Sequence, residues 1–346
     1  MPIALSIILE PVEVWQKMTK MPGKSFTGEP QPLTAAELLM RQQLVDDVEK
    51  LAGQIGQRNI WHYQNLAAAA DFIESSLDKT CYEVNRQDFR TENEICCNIE
   101  ALTMGTKYPD QVVVIGAHYD SVFGCPGAND NGSAVAATLA LARCFADKKT
   151  ARSLRFVLFA NEEPPFFQTD EMGSLIYAKS CRAKGDNIVA MLCLECIGYY
   201  SDEPNSQRYP FPFNLMYPST GNFIGFVSNF ASRKLLHSVV ASFRDKCQFP
   251  SQAGAVPEAV PGVAWSDQWS FWQQGYPAIM VTDTAPFRYP YYHEPEDTPE
   301  KINYDHLTRV ISGLEHVIAD LAEPTTPGQT MPEKAKETEA LPSRSD

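Results

Sequence analysis

The chain has 346 residues, 44% of them hydrophobic, enough to build one large α/β domain or two small ones around a real core. Its 29 Lys+Arg against 43 Asp+Glu give a formal charge of −14, which argues against nucleic acid and against an anionic membrane surface, because either partner needs a basic patch. No segment approaches the ~18 uninterrupted apolar residues of a membrane span, so the chain reads as soluble.

In chain order, Met1 to Glu10 is apolar but lacks a basic flank and a small-residue cleavage site, so no signal peptide is read there. The nine cysteines, odd in number and irregularly spaced, read as mostly reduced. Both features point to the cytoplasm for the sequence as it stands; a start codon further upstream would point to export. Cys193-Leu-Glu-Cys196 has CxxC spacing but sits in an apolar run with no second pair to complete a structural zinc site.

Residues 1–32 read as an N-terminal arm, loose over the Pro/Gly/Ser-rich stretch from Met18 to Pro32. A helix is predicted from Thr34-Ala-Ala-Glu37, a capping box, to Ile55, and a second over 66–77. Glu83–Phe89 and Asn98–Ala101 read as an edge hairpin. Gln111–Ala117 and Leu154–Ala160 are continuous β-branched and aromatic runs, the pattern of strands buried on both faces, and the helical pattern over 132–148 joins them into a βαβ unit. A helix over 173–183, a buried strand over 187–195, a long aromatic loop over 198–218, a strand over 223–227 and a helix over 232–246 follow. Residues 248–262 read as loop, 265–272 as a short helix, 277–282 as a last buried strand and 304–321 as a final helix. The tail, 323–346, is polar and Pro-rich and is expected to be disordered. The fold class is therefore α/β, a mixed but mostly parallel central sheet sandwiched by helices in three layers, with a single domain over 33–322.

In such sheets ligands sit beyond the carboxyl ends of the strands. His118, Asp130, Glu162-Glu163, Glu195 and His293 each end a predicted strand or sit in a turn downstream of one. Taken singly, each has a structural explanation: Asp130 as a helix cap, the Glu pair as surface acids. Together, carboxylates meshed without cations would repel one another and raise their own pKa values, a cost that metal ions remove. Two imidazoles with carboxylates and no thiolate suit Zn²⁺, with Mn²⁺ or Co²⁺ as alternatives. Two His and three acids suffice for two ions about 3.5–4 Å apart with one bridging carboxylate. Of the adjacent pair, one Glu is free to act as general base while its neighbour binds metal. Asp120, two residues beyond His118, is placed to accept that ring's other N–H and so orient the imidazole.

These motifs carry a resemblance. His118-Tyr119-Asp120, Pro126 to Ser133, Phe159 to Glu163, Leu194 to Tyr199, Trp265-Ser266-Asp267 and Tyr292 to Thr298 together resemble the co-catalytic di-zinc aminopeptidase family, which takes in bacterial leucyl aminopeptidases, glutamate carboxypeptidases and glutaminyl cyclases. The match runs from about Leu33 to Leu321. The resemblance implies that Asp130 bridges two metals, that His118 and Glu195 complete one site, and that Glu163 and His293 complete the other. It implies Glu162 as general base in a hydrolysis by metal-activated water, with Asp267, like Asp120, behind the metal ligands and orienting them. Tyr199, Tyr200 and Tyr292 are candidate pocket walls, as are Phe211, Phe213, Phe287, Tyr289 and Tyr291. Two positions depart from the family: Glu195 stands where Asp is commoner, and Gln268 where His is common. The expected activity is that of a metallo-exopeptidase, an aminopeptidase acting on peptides. The alternatives are a glutaminyl cyclase-like acyltransferase and a non-catalytic binding protein on the same fold.

Overall fold

The computed structural model describes residues 18–80, 82–91 and 94–323. The predicted apolar start of the chain and the tail beyond residue 323 lie outside the described residues. An eight-stranded mixed sheet runs through the molecule: β1 (Glu83–Thr91), β2 (Glu94–Thr103), β3 (Tyr108–His118), β4 (Arg152–Phe159), β5 (Asn187–Glu195), β6 (Ile224–Ser228), β7 (Ser251–Ala255) and β8 (Ala278–Thr282), in the order β1-β2-β4-β3-β5-β8-β6-β7. The four central strands, β4, β3, β5 and β8, are mutually parallel.

The side chains of the central strands divide with period two between two apolar layers. Val113, Ile115 and Ala117 of β3, Leu154, Phe156 and Leu158 of β4, and Leu192 and Leu194 of β5 join one cluster. Val112 and Val114, Val157 and Phe159, and Met191 and Cys193 join the other. A strand whose alternate residues enter two cores has no polar face, which is why these segments read as unbroken apolar runs.

Against the first layer pack α1 (Ala35–Val48), α2 (Tyr63–Leu77), α3 (Ala134–Phe145), α5 (Arg233–Lys246) and α8 (Tyr304–Ala322); against the second lie α4 (Gly173–Lys184) and α6 (Gln268–Gln273). The short α7 (Ala285–Arg288) follows β8. The capping box at Thr34 is present, with Glu37 N–H donating to the Thr34 hydroxyl and Thr34 N–H to the Glu37 carboxylate. Helix α3 is buried almost all round and rich in Ala, so it lies close against the sheet. Among the described residues no helix is long and apolar enough to cross a membrane.

Two expectations need correction. Residues 248–262 are not all loop: Ser251–Ala255 is a strand, parallel to β6. Its sequence, Ser-Gln-Ala-Gly-Ala, has no β-branched residue, and pairing to β6 overrides that poor propensity. Nor are residues 18–32 loose. Arg244 Nη1 donates to Pro22 O at 3.1 Å, Ser251 N to Ser25 Oγ at 2.8 Å and Arg309 Nη2 to Gln31 O at 2.7 Å. All eight cysteines among the described residues are free thiols.

The chain passes from β3 to β4 on one side and then from β4 to β5 across to the other. The carboxyl ends of β3 and β5 therefore flank a topological switch point, where a crevice opens.

Candidate metal centre

His118 is the last residue of β3 and Glu195 the last of β5. Glu162 and Glu163 lie just past the end of β4, Asp130 in the turn before α3, and His293 in the loop after α7. All six meet at the switch point. His118 Nε2 stands 3.4 Å from Asp130 Oδ1, 3.3 Å from Glu195 Oε2 and 3.8 Å from Glu162 Oε2. His293 Nε2 is 3.1 Å from Asp130 Oδ2 and 3.5 Å from Glu163 Oε2. Asp130 thus faces one imidazole with each oxygen. Three groups result, each with its ligand-type atoms within 4.8 Å of one another: His118-Asp130-Glu195 and Asp130-Glu163-His293, which share Asp130, and His118-Glu162-Glu163.

The arrangement is held by unusual backbone. Asn161, Cys196 and His293 have φ of 60°, 46° and 61°, left-handed values that residues other than glycine seldom adopt, and each is one of the converging residues or adjoins one. The Asp130–Asn131 peptide is cis.

The electrostatics fit cations. Burial pushes the Glu162 carboxyl well above its ordinary range; His118 opposes this, and Glu163 and Glu195 add to it. Glu163 is raised for the same reason, with Asp130 repelling it. Asp130 goes the other way: burial works against its charge, but contacts with His118 and His293 hold it well below the carboxylate range. Against the pull of burial, Asp130 and Glu163 raise His293 to about 9. His118 Nε2, Asp130 Oδ1 and Glu163 Oε1 are buried with no hydrogen-bond partner. Three orphaned ligand-type atoms, in an N/O set without thiolates, suit a zinc-like cation.

Around them stands a second set of acids. Asp120 accepts Glu162 N–H at 3.1 Å and Glu163 N–H at 3.0 Å, which fixes the Glu pair. His118 Nδ1 meets the Asp120 main-chain oxygen at 3.2 Å and its carboxylate at 3.4 Å, so both parts of Asp120 orient the imidazole. Asp297 and Asp283, which the sequence did not single out, clamp the Asp130 turn. Asp297 accepts from Asn129 N and Asp130 N at 2.8 and 3.0 Å and from the Tyr289 hydroxyl at 2.7 Å. Asp283 accepts from Asn129 Nδ2 and Tyr199 N. Burial lifts Asp297 to about 6 and Asp283 to about 7. Asp267 is fully buried, and burial raises it to about 7, with Ser174 working against the rise; it is its neighbour Ser266 that touches the cluster, donating to Glu195 Oε2. Gln268, in place of the commoner His, donates to Val263 O.

Arg58 is the other residue that sequence reasoning missed. Fully buried, its guanidinium donates to the carbonyls of Tyr119, Leu51, Gly56, Pro126 and Gly127, so it ties the His118 loop to the turn that carries Asp130. Arg58→Met is expected to cost about 3–5 kcal/mol of stability, since it strands several buried carbonyls at once. Chemical denaturation checks this; a loss under about 1 kcal/mol would show the carbonyls to be satisfied otherwise.

Beside Glu195 and Cys196 opens an apolar cavity of about 130 Å³, walled by β6, β7 and β8, Phe213, Tyr217, Val256, Trp265, Phe287 and Tyr292. Tyr292 stacks on His293 with ring centroids 3.9 Å apart. Tyr199 and Tyr200 are not among these walls. Tyr199 packs on Tyr289, and Tyr200, nearly buried, lies against Phe249 and His306 with its hydroxyl bound to Ile197 O. Tyr289 and Tyr291 pack on each other, and Phe211 points to solvent.

Residues 98–318 match the family model described as peptidase family M28. The uncharacterized protein YfbL of Escherichia coli (strain K12) is 34% identical over 282 residues, which cover 79% of this chain and 86% of that protein. Among solved structures, BSAP, a zinc aminopeptidase from Bacillus subtilis, superposes with a TM-score of 0.66 at 15% identity, covering 82% of this chain and 95% of that one. A glutaminyl cyclase from Tannerella forsythia superposes with a TM-score of 0.60 at 20% identity, covering 81% and 98%. At such identities the structural likeness speaks for the fold, whereas the family match covers most of the chain and includes every one of the six converging residues. The chain belongs to peptidase family M28.

Proposed function

We propose that the protein is a zinc-dependent aminopeptidase that removes an apolar residue from the N-terminus of peptides, and that its peptidase domain runs over residues 33–322. One observation carries the reading: two His-acid clusters share Asp130, Glu162 stands beside His118, and an apolar cavity opens at Glu195. The names borne by relatives of the same fold support zinc as the metal.

His118, Asp130 and Glu195 would hold one ion, and Asp130, Glu163 and His293 the other. Bound zinc supplies Lewis acidity, polarising the scissile carbonyl and acidifying water. Glu162, outside both clusters that share Asp130 and fixed through its amide by Asp120, takes a proton from the attacking water and returns it to the departing amine. Tyr292, stacked on His293 and a wall of the apolar cavity, would flank the bound substrate.

The direction of attack follows from charge. A carboxypeptidase needs a cation to seat the terminal carboxylate, and among the described residues no Lys or Arg walls the cavity beside Glu195. An acidic centre in a chain of −14 net charge favours a protonated α-amine instead. The side chain of the first residue then enters the apolar cavity.

Two zinc ions per chain and hydrolysis of apolar aminoacyl-arylamides ahead of charged ones are expected. Metal analysis and a substrate panel that includes N-terminal glutaminyl peptides test this. Cyclisation of the glutaminyl peptides without arylamide hydrolysis would replace the reading with the acyltransferase one.

A further inference from the structure

We propose that the N-terminal arm, residues 18–32, sets the outer wall of the apolar cavity and so helps to select the substrate's first side chain. The inference rests on the aminopeptidase reading of that cavity.

The wall in question is β7. It is the last strand of the sheet order, five residues long, paired with β6 on one side only. Three of its residues, Gln252, Ala253 and Gly254, line the cavity. A short edge strand without β-branched residues is poorly fixed by its own pairing. The arm supplies the missing support. Ser25 Oγ accepts the Ser251 N–H, while Arg244 joins arm to strand, donating to Pro22 O through Nη1 and to Ser251 O at 3.2 Å through Nη2. Further back, Gln31 N–H donates to Gln248 Oε1 at 2.9 Å, just ahead of the strand.

At the arm's other end Met18 is only 5% exposed and belongs to the same apolar cluster as Phe213, Val256 and Val263, three cavity walls. Its carbonyl lies 3.8 Å from the point that a Cβ on Gly254 would occupy, and the Tyr217 hydroxyl is 2.9 Å from the same point. Tyr217 in turn donates to Ala253 O at 2.9 Å. Met18 therefore buttresses the wall from behind. The position of an apolar wall decides how well a large side chain fits and leaves a small one nearly untouched.

The test uses the full-length, zinc-loaded chain with phenylalanyl- and alanyl-p-nitroanilide. In Met18→Ala the ratio of kcat/KM, phenylalanyl over alanyl, is expected to fall about five-fold, through KM for the phenylalanyl substrate, with alanyl kinetics within about two-fold of wild type. Met18→Leu keeps the wild-type ratio. Should Met18→Ala fail to fold, Ser25→Ala, which removes the arm's hold on Ser251, is expected to shift the ratio in the same sense. An unchanged ratio in the variants, or equal losses on both substrates, overturns the inference and leaves the aminopeptidase reading standing. A wild-type protein that cleaves neither arylamide overturns that reading and the inference with it.

Discussion

Glu162→Gln is expected to lower kcat by about 10²–10⁴-fold while the protein keeps its full complement of zinc. The expectation separates the two members of an adjacent acid pair by geometry. Glu163 stands in the cluster with Asp130 and His293, one of its oxygens 3.5 Å from His293 Nε2 and the other buried without a partner. Glu162 stands 3.8 Å from His118 and groups with His118 and Glu163, but belongs to neither cluster that shares Asp130. Their amides are held by the two oxygens of a single carboxylate, Asp120, so neither can trade places with the other without breaking that clamp. An amide at position 162 preserves size and hydrogen bonding but cannot accept a proton from water. The same exchange at Glu163, inside a cluster that shares Asp130, is expected to lower metal content first. Retention of more than about a tenth of wild-type kcat by Glu162→Gln would remove the residue from the role of base, because proton transfer by a positioned side chain is worth more than that.

What made this centre readable in the sequence was its dependence on strand ends. Runs such as Gln111–Ala117 are buried on both faces, so their limits are sharp, and the polar residues just beyond them, His118 and Glu162-Glu163, had to lie at one edge of the sheet. The residues that hold the centre left no such mark. Arg58 acts on carbonyls of Pro126 and Gly127 nearly 70 positions away, and Asp297 on amides of Asn129 and Asp130 more than 160 positions away. Nothing local distinguishes them from a surface arginine or a turn aspartate; only the folded chain brings donor to acceptor. The aromatic loop was ambiguous for a different reason. Tyr200 and Phe213 have the same composition signal, yet one is packed against Phe249 and His306 while the other walls the cavity. Strand β7 was missed because its residues are poor strand formers, and the arm because Pro, Gly and Ser describe a chain without regular structure equally well whether or not it is pinned.

Removing the metals is expected to lower Tm on the order of 10 °C near pH 8, with recovery on adding zinc, because a ligand bound far above its Kd contributes several kcal/mol to the folded state. The pH dependence of the metal-free protein carries the sharper test. Burial and neighbouring acids raise Glu162 and Glu163 well above their ordinary 4.5. Burial opposes charge on the imidazoles too, but the surrounding carboxylates raise His118 well above 6.5 and His293 to about 9. Each of these four groups binds its proton more tightly folded than unfolded. Their contribution is fully present below the unfolded values and is lost as pH rises through the folded ones. Asp130, held low, acts in the opposite sense, but its contribution is already complete above its unfolded value of 3.8. The chelated protein is therefore expected to melt at a lower temperature at about pH 8 than at about pH 5.5. With zinc present the trend reverses, since the imidazoles and carboxylates must shed their protons to bind metal, and affinity grows as pH rises. Scanning calorimetry at the two pH values, with chelator and with zinc, reads both slopes. A chelated protein whose Tm rises between them would mean that the acids at the switch point are not the groups that metal binding relieves.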